Sequence, residues 1–219
     1  MNISVLFEQS GTFKNILKAH GHNAKDFDIE NKFNETDYQI DLFNEIHNPK
    51  SCIYKSDLII AFFPCTYFSN YNDLIINGKW YNYKYMDDEQ KNIYMTERKH
   101  KQELYTQHLL TLIQNCKQQG IPLIIENPVS PYFTNIIKVN NFSHVKHIRN
   151  KHGDNMRKPT YYLMLNGAKI ENLDIIPTKV TRTIEKCNHD GVDLNRSLIS
   201  TTYANNLIKH ITIHGKGVI

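Results

Sequence analysis

Two rhythms of apolar and polar positions run through the chain. Residues 2–7, 56–63 and 121–128 are short, nearly continuous apolar runs, each closed by a proline or a small polar cluster. Runs of this length and closure read as strands buried on both faces of a parallel sheet. Between them the spacing turns helical. Residues 13–20 place Phe13, Ile16 and Leu17 on one face, with Gly21 as a C-cap. Residues 103–119 bring Leu104, His108, Leu109, Leu112, Ile113 and Cys116 near one face and stop at Gly120. Residues 23–29 predict a shorter strand and 161–165 a further one. A closing helix is expected over 196–211, with Ile199, Tyr203, Leu207 and Ile211 in phase. Strands alternating with helices predict an α/β fold with a doubly wound, mostly parallel sheet. There are no repeats, low-complexity tracts or linkers, so residues 1–219 are expected to form one domain.

Composition narrows the function classes. A chain of 219 residues, 40% hydrophobic and 22% charged, has room for one sizeable core and is not a disordered segment. The start has no basic region followed by a long apolar stretch, and no run reaches membrane-spanning length. Cytoplasmic placement with no membrane partner is therefore expected. Cys52, Cys65, Cys116 and Cys187 are widely spaced, which predicts neither a disulfide framework nor a zinc site. His144 with His147 and His210 with His214 have helical ligand spacing but no companion ligand at a telling distance, so no metal is expected. A net charge of +4 is compatible with a polyanionic partner without demanding one.

Candidate chemistry gathers at the carboxyl ends of the predicted strands, where open α/β sheets bind ligands. Pro64 ends the 56–63 strand and puts Cys65 on the following loop. A thiol flanked by Pro64 and Thr66 is poorly explained by packing; the plainer alternative is a half-buried cysteine with no chemical role. Glu126 closes the apolar 121–128 strand beside Asn127 and Pro128, either as an acid near neutral pH or as a capping carboxylate. The turn Glu8-Gln-Ser-Gly-Thr12 after the first strand opens a helix whose amino terminus can meet an anion, or it is a simple turn. Asp28 at the end of the second strand suits ribose hydroxyls, and Asp41 is a second acid near that edge. In residues 70–101, Trp80, Tyr81, Tyr83, Tyr85 and Tyr94 alternate with Lys79, Lys84, Lys91, Arg98, Lys99 and Lys101. This is either a mobile insertion that stacks on bases and meets phosphates, or a loop packing its tyrosines on the body.

The order Phe7-Glu-Gln-Ser-Gly-Thr12, His20-Gly-His-Asn-Ala with Asp28-Ile29, Phe63-Pro-Cys-Thr-Tyr-Phe-Ser69 and Ile125-Glu-Asn-Pro128 resembles the DNA (cytosine-5) methyltransferase family. The short methyltransferase-like proteins of phages are the nearest in kind. Gly153-Asp, Lys158-Pro-Thr-Tyr-Tyr-Leu and Arg196-Ser-Leu-Ile-Ser continue the resemblance over nearly the whole chain. It implies an S-adenosylmethionine-dependent methyltransferase fold of Rossmann-like type, without a separate large target-recognition domain. It implies transfer of a methyl group to C5 of cytosine in DNA, with Cys65 as nucleophile and Glu126 acting on N3. Arg157 falls where the family supplies an arginine to the catalytic site. The methyl donor would be S-adenosylmethionine, its methionine end near Phe7, Glu8, Ser10, Gly11 and Thr12. Asp28 and Ile29 would meet its ribose side, Asp41 would lie by the adenine, and Pro64 would border both ligands. Thr66, Ser69, Trp80, Asn127, Pro128 and Lys158 would face the substrate. Any sequence specificity would come from the 70–101 segment, a homodimer or a recognition partner.

Other functions stay open at this level. The same pyrimidine chemistry could act on a free nucleotide or on RNA. A catalytically silent protein of this fold could bind a nucleotide or a host defence factor. A thiol hydrolase ranks behind these, since no histidine neighbours Cys65 in sequence.

Overall fold

The computed structural model describes residues 1–181 and 198–219. Cys187, Arg196 and Ser197 lie outside the described residues. A first unit of β1 (Asn2–Leu6), α1 (Thr12–Ala19) and β2 (Asn23–Asp28) is followed by the short β3 (Tyr38–Gln39) and α2 (Leu42–Ile46). Then come β4 (Leu58–Ala61), α3 (Asn70–Ile76) and the 32-residue α4 (Asp88–Gln119). The next elements are β5 (Leu123–Pro128), α5 (Pro131–Asn140), β6 (Ser143–Ile148) and β7 (Pro159–Leu165). The chain ends with β8 (Ala168–Ile170), α6 (Thr201–Lys209), β9 (Ile211–Ile213) and β10 (Gly217–Val218).

The strands of the main sheet lie in the order β3-β2-β1-β4-β5-β7-β6. Strand β7 runs antiparallel to both neighbours, and the remaining strands run parallel to one another. This is the doubly wound, mostly parallel sheet expected for the S-adenosylmethionine-dependent methyltransferase type. No separate large domain is evident among the described residues. Strands β8, β9 and β10 form a small antiparallel sheet of their own.

Two apolar layers cover the main sheet. On one face Leu42, Ile46, Leu109, Leu112, Cys116, Phe133 and Ile137 bring α2, α4 and α5 onto β4 and β5. On the other, Phe13, Leu17, Tyr203, Leu207 and Ile208 bring α1 and α6 onto β1, β5 and β7, with the small sheet joining at Ile170 and Ile213. Strands covered on both sides have no solvated face, which is why β4 and β5 read as unbroken apolar runs.

Several elements carry their own start and stop signals. Ser69, Asp87, Ser130 and Ser200 cap α3, α4, α5 and α6 with side-chain oxygens. Gly120 closes α4 in the left-handed conformation at φ +66°. The predicted helix over 103–119 is thus the carboxyl-terminal part of α4, which spans about 48 Å. Its amino-terminal part lacks buried apolar positions and so left no helical stripe in the sequence. The predicted closing helix begins at Thr201, after its Ser200 cap.

Candidate active site

Strand order reverses between β1 and β4, because β2 and β3 lie to one side and β5, β7 and β6 to the other. The carboxyl ends of the central strands open into a crevice at such a switch point. The turn of residues 7–12 follows β1, the loop bearing Cys65 follows β4, and Glu126 and Asn127 close β5.

Asn127 joins two of these ends. Its buried side-chain Nδ2 donates to the carbonyl oxygen of Phe63 at 2.9 Å. The β5 terminus is thereby tied to the residue that precedes Pro64 and Cys65. Register places Ala61 beside Ile125, so Glu126 is the next residue along β5 and Cys65 lies beyond the end of β4. Behind Cys65 the loop is held from α3 and α4. The carbonyl oxygen of Tyr67 accepts from Asn72 Nδ2 at 2.9 Å and from Gln102 Nε2 at 2.8 Å. Arg98 lies over the Tyr67 ring and donates to Asn72 Oδ1 at 2.8 Å. Cys65 is half-buried. Cys116 is different: burial pushes its thiol up to about 12, so it remains a structural, protonated thiol.

Glu126 is 6% exposed and sits directly opposite Tyr162 of β7. Among the described residues its Oε1 has no hydrogen-bond partner, while Lys158 Nζ stands 3.6 Å away. A buried acceptor left open beside a cation is poised for a donor from a bound molecule.

Arg157, expected at the site, is exposed on the approach to β7. The arginine near Glu126 is Arg149, eight residues earlier by the numbering. It is fully buried and donates through Nε to Asp154 Oδ2 at 2.6 Å and through Nη2 to the Leu198 carbonyl at 3.0 Å. Burial opposes its charge, yet Asp154 and Glu126 outweigh this and hold its pKa above the ordinary value. Its Nη1 has no hydrogen-bond partner among the described residues. The sequence signal was weak: Arg149 follows an alternating, histidine-rich stretch that reads as solvent-facing, and Asp154 gains meaning only once the chain folds back on it.

The turn after β1 is ordered by its own side chains. Phe7 adopts φ +60°, uncommon for a residue with a side chain, and its ring packs on Phe43 and Phe63. Glu8 accepts hydrogen bonds from the Ser10 backbone at 3.0 Å and from the Ser10 hydroxyl. Burial raises the Glu8 carboxyl, and its Oε2 is buried with no partner among the described residues. Ser10 and Thr12 share a 2.8 Å contact between hydroxyls. Gly11 stands at φ +69° where a Cβ would lie 2.6 Å from Glu35 Oε2, so only glycine fits. Sequence reasoning missed the buried Lys14. Its Nζ lies 3.2 Å from Asp26 and donates to the Glu35 carbonyl, tying the 29–37 loop to α1.

Asp28 ends β2 at 9% exposure and accepts from Glu30 N at 2.8 Å; burial raises its carboxyl. Beside it Ile29 is 60% exposed. Asp41 is an exposed N-cap of α2, accepting from Phe43 N at 3.0 Å and Asn44 Nδ2 at 2.9 Å. Ser69 caps α3, and Thr66 is exposed on the Cys65 loop. The 70–101 segment is folded into α3, a tight turn over Tyr81–Tyr85 and the first half of α4. Trp80 is stacked on Tyr94 at 5.2 Å and meets Tyr71 and Tyr83 edge-on. Among the described residues no group of three or more metal-ligating side chains comes together. No helix among them is long and apolar enough to cross a membrane.

No family model and no curated protein matches the chain. Solved structures do. One is a DNA modification methyltransferase encoded within a prophage of E. coli, at 16% identity and a TM-score of 0.43, covering 75% of this chain and 46% of its own. Another is the methyltransferase EhMeth of Entamoeba histolytica, at 15% identity and a TM-score of 0.45, covering 82% and 57%. A third is a mutant of Spodoptera frugiperda DNMT2, at 19% and 0.42, covering 84% and 55%. The chain spans about half the length of these solved relatives.

Proposed function

We propose that this protein transfers a methyl group from S-adenosylmethionine to C5 of a cytosine in DNA, through a covalent adduct with Cys65. The observation that carries this reading is the coupling of two strand ends. Asn127 bonds the Phe63 carbonyl, so the thiol-bearing loop and the open Glu126 carboxylate share one crevice.

C5 of cytosine is a poor nucleophile. Attack of the Cys65 thiolate on C6 forms an S–C6 bond and moves the C5–C6 electrons into an enamine, which makes C5 nucleophilic. Negative charge then develops toward N3 and O2. Glu126 hydrogen-bonds N3, and Lys158 and Arg149 supply positive charge around the ring as that charge develops. When bound, S-adenosylmethionine supplies the electrophilic methyl group. After methylation the C5 proton leaves to a base, the S–C6 bond breaks and the thiolate is regenerated.

The residues around β1 and β2 fit the donor. The orphaned Glu8 Oε2 suits an ammonium group, buried Asp28 suits ribose hydroxyls, and exposed Ile29 offers an apolar face to a purine. Pro64 would border both ligands, Pro128 would line the crevice and Asp41 would lie by the adenine, while buried Asn127 holds the end of β5 in place. A cytosine within a duplex must leave the stack to reach Cys65, and Trp80 with the 70–101 segment lies on the chain just beyond it.

Trapping with a 5-fluorocytosine duplex tests the reading, because fluorine cannot leave C5 as a proton does. A cofactor-dependent covalent band that disappears in Cys65→Ala, with S-adenosylmethionine binding retained, is expected. Adduct on deoxycytidine monophosphate or RNA but not on duplex DNA would move the substrate to those classes. No adduct on any cytosine substrate in the presence of S-adenosylmethionine would overturn the proposal.

A further inference from the structure

A cleft of about 770 Å³ lies between α3 and α5. Its position follows from the two chain segments that leave the site. The segment after Cys65 turns through Ser69 into α3, and the segment after Glu126 turns through Ser130 into α5. The cleft's lining starts at Asn70, five residues after Cys65, and at Val129, three residues after Glu126, so the cleft lies beside the two site-bearing strand ends.

Its lining has the chemistry of base recognition. Leu74 and Pro131 give apolar walls on opposite sides. Asn70 and Asn135 each present an amide with both donor and acceptor, and both are exposed within the cleft wall. Asp73 lies on the same lining, and its buried Oδ2 has no hydrogen-bond partner among the described residues. Lys138 stands on the same lining, an exposed cation suited to a phosphate. The cleft is an open groove of small-ligand volume. Amides pair in two-point fashion with adenine, and carboxylates accept from the exocyclic amine of cytosine.

We propose that the cleft between α3 and α5 seats the base of a nucleotide neighbouring the target cytosine on the same strand. Asn70, Asn135 and Asp73 read an amine-bearing base there, and Lys138 holds its phosphate. This rests on the nucleic-acid methyltransferase reading above and gives it a source of sequence preference within this chain. Asn70 and Asp73 belong to the 70–101 segment, so part of the specificity expected of that segment falls to its first helix, α3.

Two measurements separate failure of this inference from failure of the parent reading. The first is trapping on 5-fluorocytosine oligonucleotides in which the bases flanking the target are varied one at a time. Wild type is expected to favour an amine-bearing base on one side by about tenfold, the worth of one good amide–base pair. Asn135→Ala should reduce that ratio to near one. The second uses no chemistry: a fluorescent single-stranded trinucleotide with a central cytosine is titrated onto Cys65→Ala protein. Adding Lys138→Ala or Asn135→Ala should weaken binding by about fivefold or more. Equal binding by these variants and an unaltered flanking ratio would overturn the cleft assignment, whether or not adducts form. Asn135 and Lys138 are exposed, so neither substitution threatens the fold.

Discussion

The side-chain amide of Asn127 donates to the carbonyl oxygen of Phe63 at 2.9 Å, and the amide is fully buried. Neither residue bears the proposed chemistry, yet this bond couples the loop of Cys65 to the strand of Glu126. Asn127→Ala removes the donor and leaves a carbonyl in a dry site, at a cost of about 1–3 kcal/mol. Urea unfolding should report that loss. Trapping on 5-fluorocytosine should slow by more than cofactor binding weakens, because the misplacement falls between the two reacting groups. Equal effects on both would mean that Asn127 serves folding alone.

Arg149 and Asp154 form a buried pair with no exposed side-chain surface on either partner. Asp154→Ala strands the guanidinium and should destabilise the fold by about 3–5 kcal/mol. Replacing both residues together, Arg149→Met with Asp154→Leu, should recover much of that stability. It should not recover adduct formation if the Arg149 charge assists Glu126. Recovery of both stability and adduct would assign Arg149 to architecture only.

Asp28 is expected to hold the ribose side of the methyl donor. Asp28→Asn keeps the shape but loses the charge, and should weaken S-adenosylmethionine binding by roughly tenfold, the low end of a charged hydrogen bond. Calorimetric titration gives the number directly. Unchanged affinity would remove Asp28 from the cofactor site.

The imidazole of His147 is lowered to about 4 by burial and by the neighbouring His152. The unfolded chain takes up this proton near pH 6.5, the folded chain only near 4. The neutral ring therefore contributes stability that is complete above 6.5 and lost as pH falls toward 4. Glu8, Asp26 and Asp28 act in the opposite sense, since burial raises each of them and favours the folded state in acid. The difference between wild type and His147→Gln cancels these carboxylates. The stability of wild type relative to the variant should fall on going from about pH 7 to about pH 4.5, read by urea unfolding at each pH. Parallel curves for the two proteins would show that His147 is not held neutral.

By itself the sequence determined the sheet class, the central strands and the strand-end placement of Cys65 and Glu126. Strands covered on both faces read as near-continuous apolar runs, and here each run gives way at a proline or at Glu-Asn-Pro, so β4, β5 and their chemistry were legible locally. The first helix was legible for a related reason: Phe13 and Leu17 are buried at helical spacing. Tertiary structure decided the rest. The amino-terminal half of α4 buries almost nothing and shows no stripe, yet Arg98 and Gln102 on it fix the Cys65 loop. Strand β6 alternates His, Lys and apolar residues because only one face of it is covered, so the stretch leading to Arg149 reads as solvent-facing. Arg149, the orphaned oxygens of Glu8 and Glu126, and the cleft between α3 and α5 all depend on residues far apart in sequence. Such contacts have no period along the chain, so only the folded molecule could bring them together.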